Sequence, residues 1–473
     1  MFFTFKDRAN SILIWSVFLA LYWVVFLWGF WEKGVFAFGF NATFFLALFL
    51  IFLGKIFPNQ NKFWSRKHVA WLVPFVLLVI SYSLYNTPFI RMTNVLVLPV
   101  LGVIFITYAL LENRGIVWGL EFFKTVFARS FSWIGSLGKS LRGYTFLLGR
   151  NSSSITRRVF FGVVFLVIIV ATLIVPLLSK VDPEFAYLID PLFDFVRNII
   201  ETETAVRVLV GAIIAVLSAS VALSWLERPV VSEEKKDTNV DSIIAGIVIA
   251  GIFFVYVLFL AVQIKRLWVS ELPIDFSETE ILVKSGFWQL FILSVVNALI
   301  FFATYLKTNN LVHRLLGAFT VASLFLVMSA AWRMFLYVVF YGFSYEKFFA
   351  SYTVLFSIIL FVWLLVLFFQ SKKRDIIKFI VFLFLWMYSI VAIFPVEQFI
   401  MRANVALSYQ KDSRIELYEL TMLSSDVLGY VEKRQNEYIF SDWDKWIKEK
   451  KEQVAKKAWY ESTIIDVFYK IKK

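Results

Sequence analysis

The run Ala331-Trp332-Arg333-Met334-Phe335-Leu336-Tyr337-Val338-Val339-Phe340-Tyr341-Gly342-Phe343-Ser344 ends one of many long apolar segments in this chain. By our reading of segment boundaries, Arg333 is the only charge set deep inside such a segment. It lies eight residues before Tyr341, the expected outer boundary. At 1.5 Å per residue its Cα is then ~12 Å inside the apolar layer. Helical side chains lean toward the helix N-terminus, so an arginine on a helix running outward leans toward the membrane centre and needs a partner. Tyr337 and Tyr341 follow at i+4 and i+8 on the same face, and Gly342 is suited to end the helix in the left-handed conformation.

Composition agrees with a membrane setting. Of 473 residues, 60% are hydrophobic and only 17% charged, with 55 Phe and 17 Trp. No cysteine is present, which excludes disulfides, thiolate metal sites and thiol nucleophiles. His68 and His313 are far apart, so a histidine metal site is not expected. Residues 1–10 precede an apolar run of full span length with no small-residue cleavage pattern.

Eleven spans are expected, near 11–30, 35–54, 69–85, 93–111, 159–179, 206–226, 241–263, 288–306, 315–341, 349–370 and 377–395. Each must be a helix, because a spanning segment satisfies its backbone internally and these runs are too long and continuous for barrel strands. With the N-terminus cytoplasmic, the inner connections hold 23 Lys and Arg and the outer ones 9. That asymmetry places the N-terminus inside, and an odd span count places the C-terminal tail outside. The fold class is therefore an all-α polytopic bundle with a small extracytoplasmic helical domain. We divide it into an aromatic four-span region (1–111), a basic connection (112–158), a seven-span core (159–395) and a soluble tail (396–473).

In the basic connection Lys124, Arg129, Lys139, Arg142, Arg157 and Arg158 alternate with aromatic and aliphatic residues. The pattern reads as amphipathic helices on an anionic inner leaflet, or as a long positive-inside signal. Either way the basic partners are lipid headgroups and not nucleic acid. The outer connection 180–205 is acidic instead, with Asp182 and Asp190 each before a proline. The tail carries fourteen basic and thirteen acidic residues. Its apolar residues recur at helical spacing (Leu417, Leu420, Leu423; Trp443, Trp446, Ile447, Val454), and Ser424 or Ser425 can cap a helix starting at Asp426.

Arg333 is read either as a lock on a carboxylate, with Asp182, Asp190 and Glu397 nearest by level, or as the reader of an anion. No expected span has a carboxylate near its middle, and there is no phosphate loop and no histidine-bearing catalytic dyad. No catalytic residue, cofactor or metal is therefore expected.

Arg333-x-x-Leu336-Tyr337-x-x-x-Tyr341-Gly342-x-Ser344-x-x-Lys347 resembles the signature of bacterial membrane proteins called domain of unknown function 4173, and of the related 4153. Asp182-Pro183-Glu184-Phe185-Ala186, Gly286-Phe287-Trp288-Gln289-Leu290 and Leu423-Ser424-Ser425-Asp426, near Asn404, are similar in the same chain order. The likeness covers roughly 170–450 and implies a multi-pass plasma-membrane protein, with no substrate or catalytic residue attached. The leading expectation is a non-enzymatic structural or regulatory envelope module. A transporter or channel for an anionic or lipid-like solute using Arg333, and a membrane enzyme on a lipid-linked substrate, are the alternatives.

Overall fold

The computed structural model describes residues 5–56, 66–111, 120–148, 203–226, 241–267, 276–305, 308–370, 376–410, 413–415, 417–437, 440 and 443–471. Among them every regular element is helical. The long helices are α1 (Phe5–Phe26), α3 (Phe40–Ile56), α4 (Arg66–Leu84), α5 (Pro88–Leu111), α6 (Leu120–Leu148), α7 (Glu203–Leu226), α8 (Ser242–Leu267), α9 (Phe276–Thr304), α10 (Asn310–Tyr341), α11 (Tyr345–Gln370) and α12 (Ile376–Ile393). A short α2 (Phe30–Lys33) follows α1, and the tail folds as α13 (Val396–Ser408), α14 (Leu428–Lys433), α15 (Asp444–Lys456) and α16 (Ile464–Ile471).

Six described helices are long and apolar enough to cross a membrane, or seven if α1 and the Phe30–Ala37 segment, bent by 55°, form one broken span. Three shorter apolar helices accompany them, Phe40–Gly54, His68–Leu84 and Phe291–Thr304. The chain is thus an all-helical membrane protein. The expected span 159–179 lies outside the described residues, as do Arg157, Arg158, Asp182 and Asp190.

Two apolar cores organise the helices. One gathers residues of α1, α3, α4, α5, α6, α7 and α12 together with the tail. The other gathers α8, α9, α10 and α11. Packing does not follow chain order, since α7 packs along α1 and α6, and α12 along α4. The tail has too little chain for a large core of its own. Val396, Ile400, Leu420, Val427, Phe440 and Trp446 instead continue the first core out of the helical bundle.

Helix ends are set by local chemistry. The Asn309 side chain accepts from Val312 N at 3.0 Å and caps α10. Gly342 closes α10 with φ 69° and ψ 176°, so φ is positive as expected while ψ is extended and not left-handed helical. A Cβ there would also lie 2.7 Å from Asn404 Oδ1. That amide clamps the turn, accepting from Phe343 N at 2.6 Å and donating to Phe343 O at 2.8 Å. Ser424, not Ser425, accepts from Asp426 N at 3.2 Å, and the turn it opens is a single 3-10 turn, Ser425–Val427, leading into α14.

Candidate functional site

The tail covers one end of the bundle as a cap. It meets the α1–α3 connection, the α4–α5 connection and the α10–α11 turn. In the α4–α5 connection, Tyr85-Asn86-Thr87 joins two apolar runs, and Pro88 opens α5, where a missing N–H costs nothing. Asn86 is 3% exposed and is the centre of the joint. Its backbone N donates to Asp426 Oδ2 at 2.7 Å. Its side-chain amide nitrogen donates to Ser425 Oγ at 3.1 Å, Thr463 Oγ1 at 3.2 Å and Asp466 Oδ1 at 3.0 Å. Its Oδ1 accepts from Lys457 Nζ at 2.7 Å, and that ammonium also reaches Asp466 Oδ2 at 2.8 Å.

Thr463 and Asp466 are held by a reciprocal cap at the start of α16. Asp466 N donates to Thr463 Oγ1 at 3.2 Å, and Thr463 N donates to Asp466 Oδ2 at 3.1 Å. Beside this group lies Arg91, in the first turn of α5 and fully buried. Its Nη2 donates to Tyr82 O at 3.2 Å, near the negative end of α4, and its Nη1 to Val35 O at 3.4 Å. Its Nε has no hydrogen-bond partner among the described residues. A second arm of the joint is Glu397, 1% exposed at the start of α13. It accepts from the Tyr345 hydroxyl and from Ser424 N, the latter at 2.8 Å.

Electrostatics follow from burial. Asp426 is pushed well above its ordinary range by desolvation, reinforced by the charge of Glu397 and opposed by Arg91. Desolvation also raises Glu397, against hydrogen bonds from Ser424 and Tyr345. Burial acts to raise Asp466 too, but the adjacent Lys457 ammonium and the bonds from Lys457, Asn86 and Thr463 outweigh it and bring it below its ordinary range. Desolvation lowers Lys457 despite Asp466. Three cations, Arg91, Lys457 and Lys450, thus act on the three buried carboxyl groups Asp426, Asp466 and Glu397.

Close backbone approach completes the contact. A Cβ at Gly39 would lie 2.4 Å from Glu461 O, because Phe40 N donates to Ser462 O at this point. Lys33 reaches the buried Glu461 carboxylate at 2.9 Å.

Of the residues singled out from sequence, Tyr337 and Tyr341 lie near the α10–α11 turn, which the cap meets through Asn404. Tyr337 and Tyr341 are buried. Lys347 Nζ sits 4.5 Å from the Tyr337 ring centroid and donates to Tyr341 O at 3.0 Å, and Arg414 Nη1 donates to the Tyr341 hydroxyl at 3.3 Å. Arg333 is half-buried one turn further along α10. Of the carboxylates considered for it, Glu397 is engaged with Tyr345 and Ser424. Lys124, Lys139 and Arg142 are exposed on α6, whereas Arg129 is 5% exposed and faces the helix bundle. Arg333 is also not alone as a charge within an apolar helix. Helix α5 starts at Pro88, five residues earlier than expected, and takes Arg91 into the fold.

Sequence reasoning missed Asn86, Arg91, Lys457 and Asp466. The one signal available was Thr463-x-x-Asp466, a capping-box spacing before an apolar run. Among the described residues no group of three or more His, Cys, Asp or Glu is arranged to hold a metal ion.

No curated protein and no solved structure matches the chain. The family model described as Domain of unknown function (DUF4153) matches residues 72–433, well over half of the sequence. Of the two related families the chain resembles, the match is thus to the second. It takes in Asn86, Arg91, Glu397 and Asp426 and ends before Lys457 and Asp466. The chain belongs to the DUF4153 family of domains of unknown function.

Proposed function

We propose that this protein is a non-enzymatic envelope module of the plasma membrane, whose extracytoplasmic helical cap is a fixed part of the membrane bundle. The supporting observation is the Asn86 joint. A single side chain from a short helix connection bonds two separate places in the cap, Ser425 and the Thr463–Asp466 turn, while Lys457 closes over it. The carboxyl groups are committed to backbone, amide and ammonium partners, an arrangement that holds elements together and leaves no acid–base pair facing a substrate. The distribution of Lys and Arg between spans supports a cytoplasmic N-terminus and a cap on the far side of the membrane.

The chain's lack of native cysteine makes the test direct. Met422 is 84% exposed on the cap and Val427 is fully buried beneath it. In intact cells, Met422→Cys should react with a membrane-impermeant maleimide and Val427→Cys should not until the protein is denatured. Labelling of Met422→Cys only after the inner face is opened would place the cap in the cytoplasm. Equal rates at the two positions would mean that the cap is not docked.

A further inference from the structure

Helix α16 (Ile464–Ile471) carries its polarity the wrong way round for a helix on a water-facing domain. At helical spacing Thr463, Asp466 and Lys470 form one side and Ile464, Phe468 and Ile471 the other. The polar side is the one turned into the protein. Thr463 and Asp466 are buried against Asn86, and Lys470 Nζ donates to Lys457 O at 2.8 Å and to Ser462 Oγ at 3.2 Å. The apolar side is turned out, with Phe468 70% and Ile471 76% exposed, and Trp459 in the preceding turn is exposed as well. A helix on a soluble surface packs its apolar stripe on the core and gives its polar one to water. Here that order is reversed, and an apolar face is left open.

Three attachments fix the level at which this face lies. Tyr460 packs edge-on against Phe26, the last residue of α1, with ring centroids 5.6 Å apart. Ser462 O accepts from Phe40 N, the first residue of α3, at 3.2 Å. Thr463 and Asp466 hold Asn86, just past the end of α4 at Leu84. The segment 459–471 therefore lies across the ends of three apolar helices. Each of them carries an exposed apolar side chain within about one turn of that end: Val25 on α1, Phe44 on α3 and Ile80 on α4. The apolar flank of the bundle thus reaches the level at which α16 is fastened. Trp31 and Phe36, exposed on the α1–α3 connection, are tied to the same segment through Lys33 and Glu461. Exposed aromatic side chains gathered at helix ends are the composition of a membrane–water interface.

We infer that α16 is a lipid-contacting edge of the cap, with Trp459, Phe468 and Ile471 seated at the headgroup–acyl boundary of the bilayer. The partner is a lipid surface because the open face is apolar and continues the outer flank of helices that lipid already surrounds. An interfacial helix gains by burying its apolar side in the upper acyl region while its polar side stays hydrogen-bonded. In α16 the cap joint supplies those bonds in place of water. The inference rests on the docked cap proposed above and holds on either side of the membrane.

The test uses the full chain, which has no native cysteine, in nanodiscs of phosphatidylethanolamine and phosphatidylglycerol. A nitroxide is attached to one position at a time, Trp459→Cys, Phe468→Cys or Ile471→Cys. Its collisions with molecular oxygen, which concentrates in lipid, and with a water-soluble nickel chelate are then measured. Glu452→Cys, exposed on α15, is the water reference, and Leu96→Cys, exposed within α5, is the lipid reference. The oxygen-to-nickel ratio at the three positions is expected to exceed that of Glu452→Cys at least fivefold and to approach that of Leu96→Cys. All three side chains are exposed, so a variant that fails to fold leaves the other two to decide. A ratio equal to that of Glu452→Cys would put the face in water and overturn the inference. Weak collision with both reagents would overturn it too, because protein would then cover the face. Spin–spin broadening lost on dilution with unlabelled chain would identify that protein as a second copy. Docking is read separately by the maleimide reaction of Val427→Cys, so water-like ratios with Val427→Cys still protected refute the lipid contact alone.

Discussion

Helices α3, α4 and α5 meet opposite fates at their two ends. At the cap end their connections are met by the chain itself. Gly39 receives the Glu461 backbone, Asn86 threads into the cap, and Arg91 is buried beside Asp426 and Asp466. At the other end Arg129 borders an apolar cavity. Apolar helices gain little by packing on each other in lipid, so specificity there depends on polar groups and close fits. At the cap end such groups are numerous and mutually satisfied, and they fix one arrangement. At the other end the cavity wall is largely hydrocarbon, with few polar side chains in it. The contrast assigns rigidity to the cap end and open space to the cavity, and each assignment can be broken.

The largest effect should come from Asn86→Ala. It removes the amide from Ser425, Asp426, Thr463, Asp466 and Lys457 at once, and although the Lys457–Asp466 pair and the backbone bond to Asp426 remain, each buried polar group left short of a partner costs ~1–3 kcal/mol. Limited proteolysis should then release the cap from a bundle that otherwise migrates normally. A variant as resistant as the native chain would show that the joint does not hold the cap. Gly39→Val comes next. Its side chain meets Glu461 backbone at 2.4–2.5 Å, and backbone cannot yield as the tip of a flexible side chain can. A loss of ~1–3 kcal/mol is expected, seen as a lower melting temperature, with cleavage appearing first at the Trp459–Glu461 turn. By contrast, Gly102→Leu near the other end should melt close to the native chain, because it fills open space. If both glycine substitutions cost the same, the two ends are equally tight and the comparison fails.

How much of this was legible in the sequence differs between fold and site. The apolar runs announce helices, because a twenty-residue hydrocarbon segment has few alternatives, but among the described residues six or seven helices qualify as spans against the eleven expected. Ser424-Ser425-Asp426 was legible as a capping signal, and Ser424 does accept from Asp426 N. The joint itself did not show, for a physical reason. Asn86 is one polar residue in a short connection between spans, and such residues ordinarily face water. Its burial depends on Lys457 and Asp466, some 370 and 380 positions later, and no local period encodes that pairing. Arg91 was hidden by a boundary, since α5 begins at Pro88 and a few residues decide whether a charge is inside or out. Arg129 was read for its sign and not for its register. The basic stretch suggested a lipid surface, while the i, i+3, i+4 spacing through Phe122, Val126 and Arg129 turns that residue inward.

Acidity offers a graded way to sharpen the contrast. Asp426 and Glu397 sit above their ordinary ranges, so the folded protein holds protons that the unfolded chain releases. Stability they contribute is fully present below their ordinary values and is lost as pH rises toward their folded ones. Asp466, held low, acts in the opposite sense and loses its contribution only below its ordinary value. Lys457, lowered by burial, favours the cap again only as pH climbs toward its own range. Cap docking should therefore weaken as pH is raised above the ordinary carboxylate range, by at most ~1.4 kcal/mol per pH unit for each proton released. Asp426→Asn should flatten that slope. Melting curves across the range give the answer, and a slope unchanged by the substitution would remove Asp426 from the account.

The smallest effect is expected at the rim of the joint, and it separates buried from exposed electrostatics within the same contact. Lys33 and Lys457 each hold a buried carboxylate at under 3 Å, yet the Lys33 side chain is 49% exposed and that of Lys457 is 18% exposed. Water and salt screen the first pair, so Lys33→Ala should cost below ~1 kcal/mol. Glu461 keeps a second partner in Ala458 N at 3.4 Å, which softens the loss further. Half-molar salt should produce nearly the same small drop in the melting temperature of the native chain and add nothing to Lys33→Ala. The Asn86→Ala deficit should be insensitive to salt, because its charges lie where ions do not reach. If salt instead erased the difference between Asn86→Ala and the native chain, the centre of the joint would be as wet as its rim, and the rigidity assigned to that end of the bundle would have to be sought in the apolar core alone.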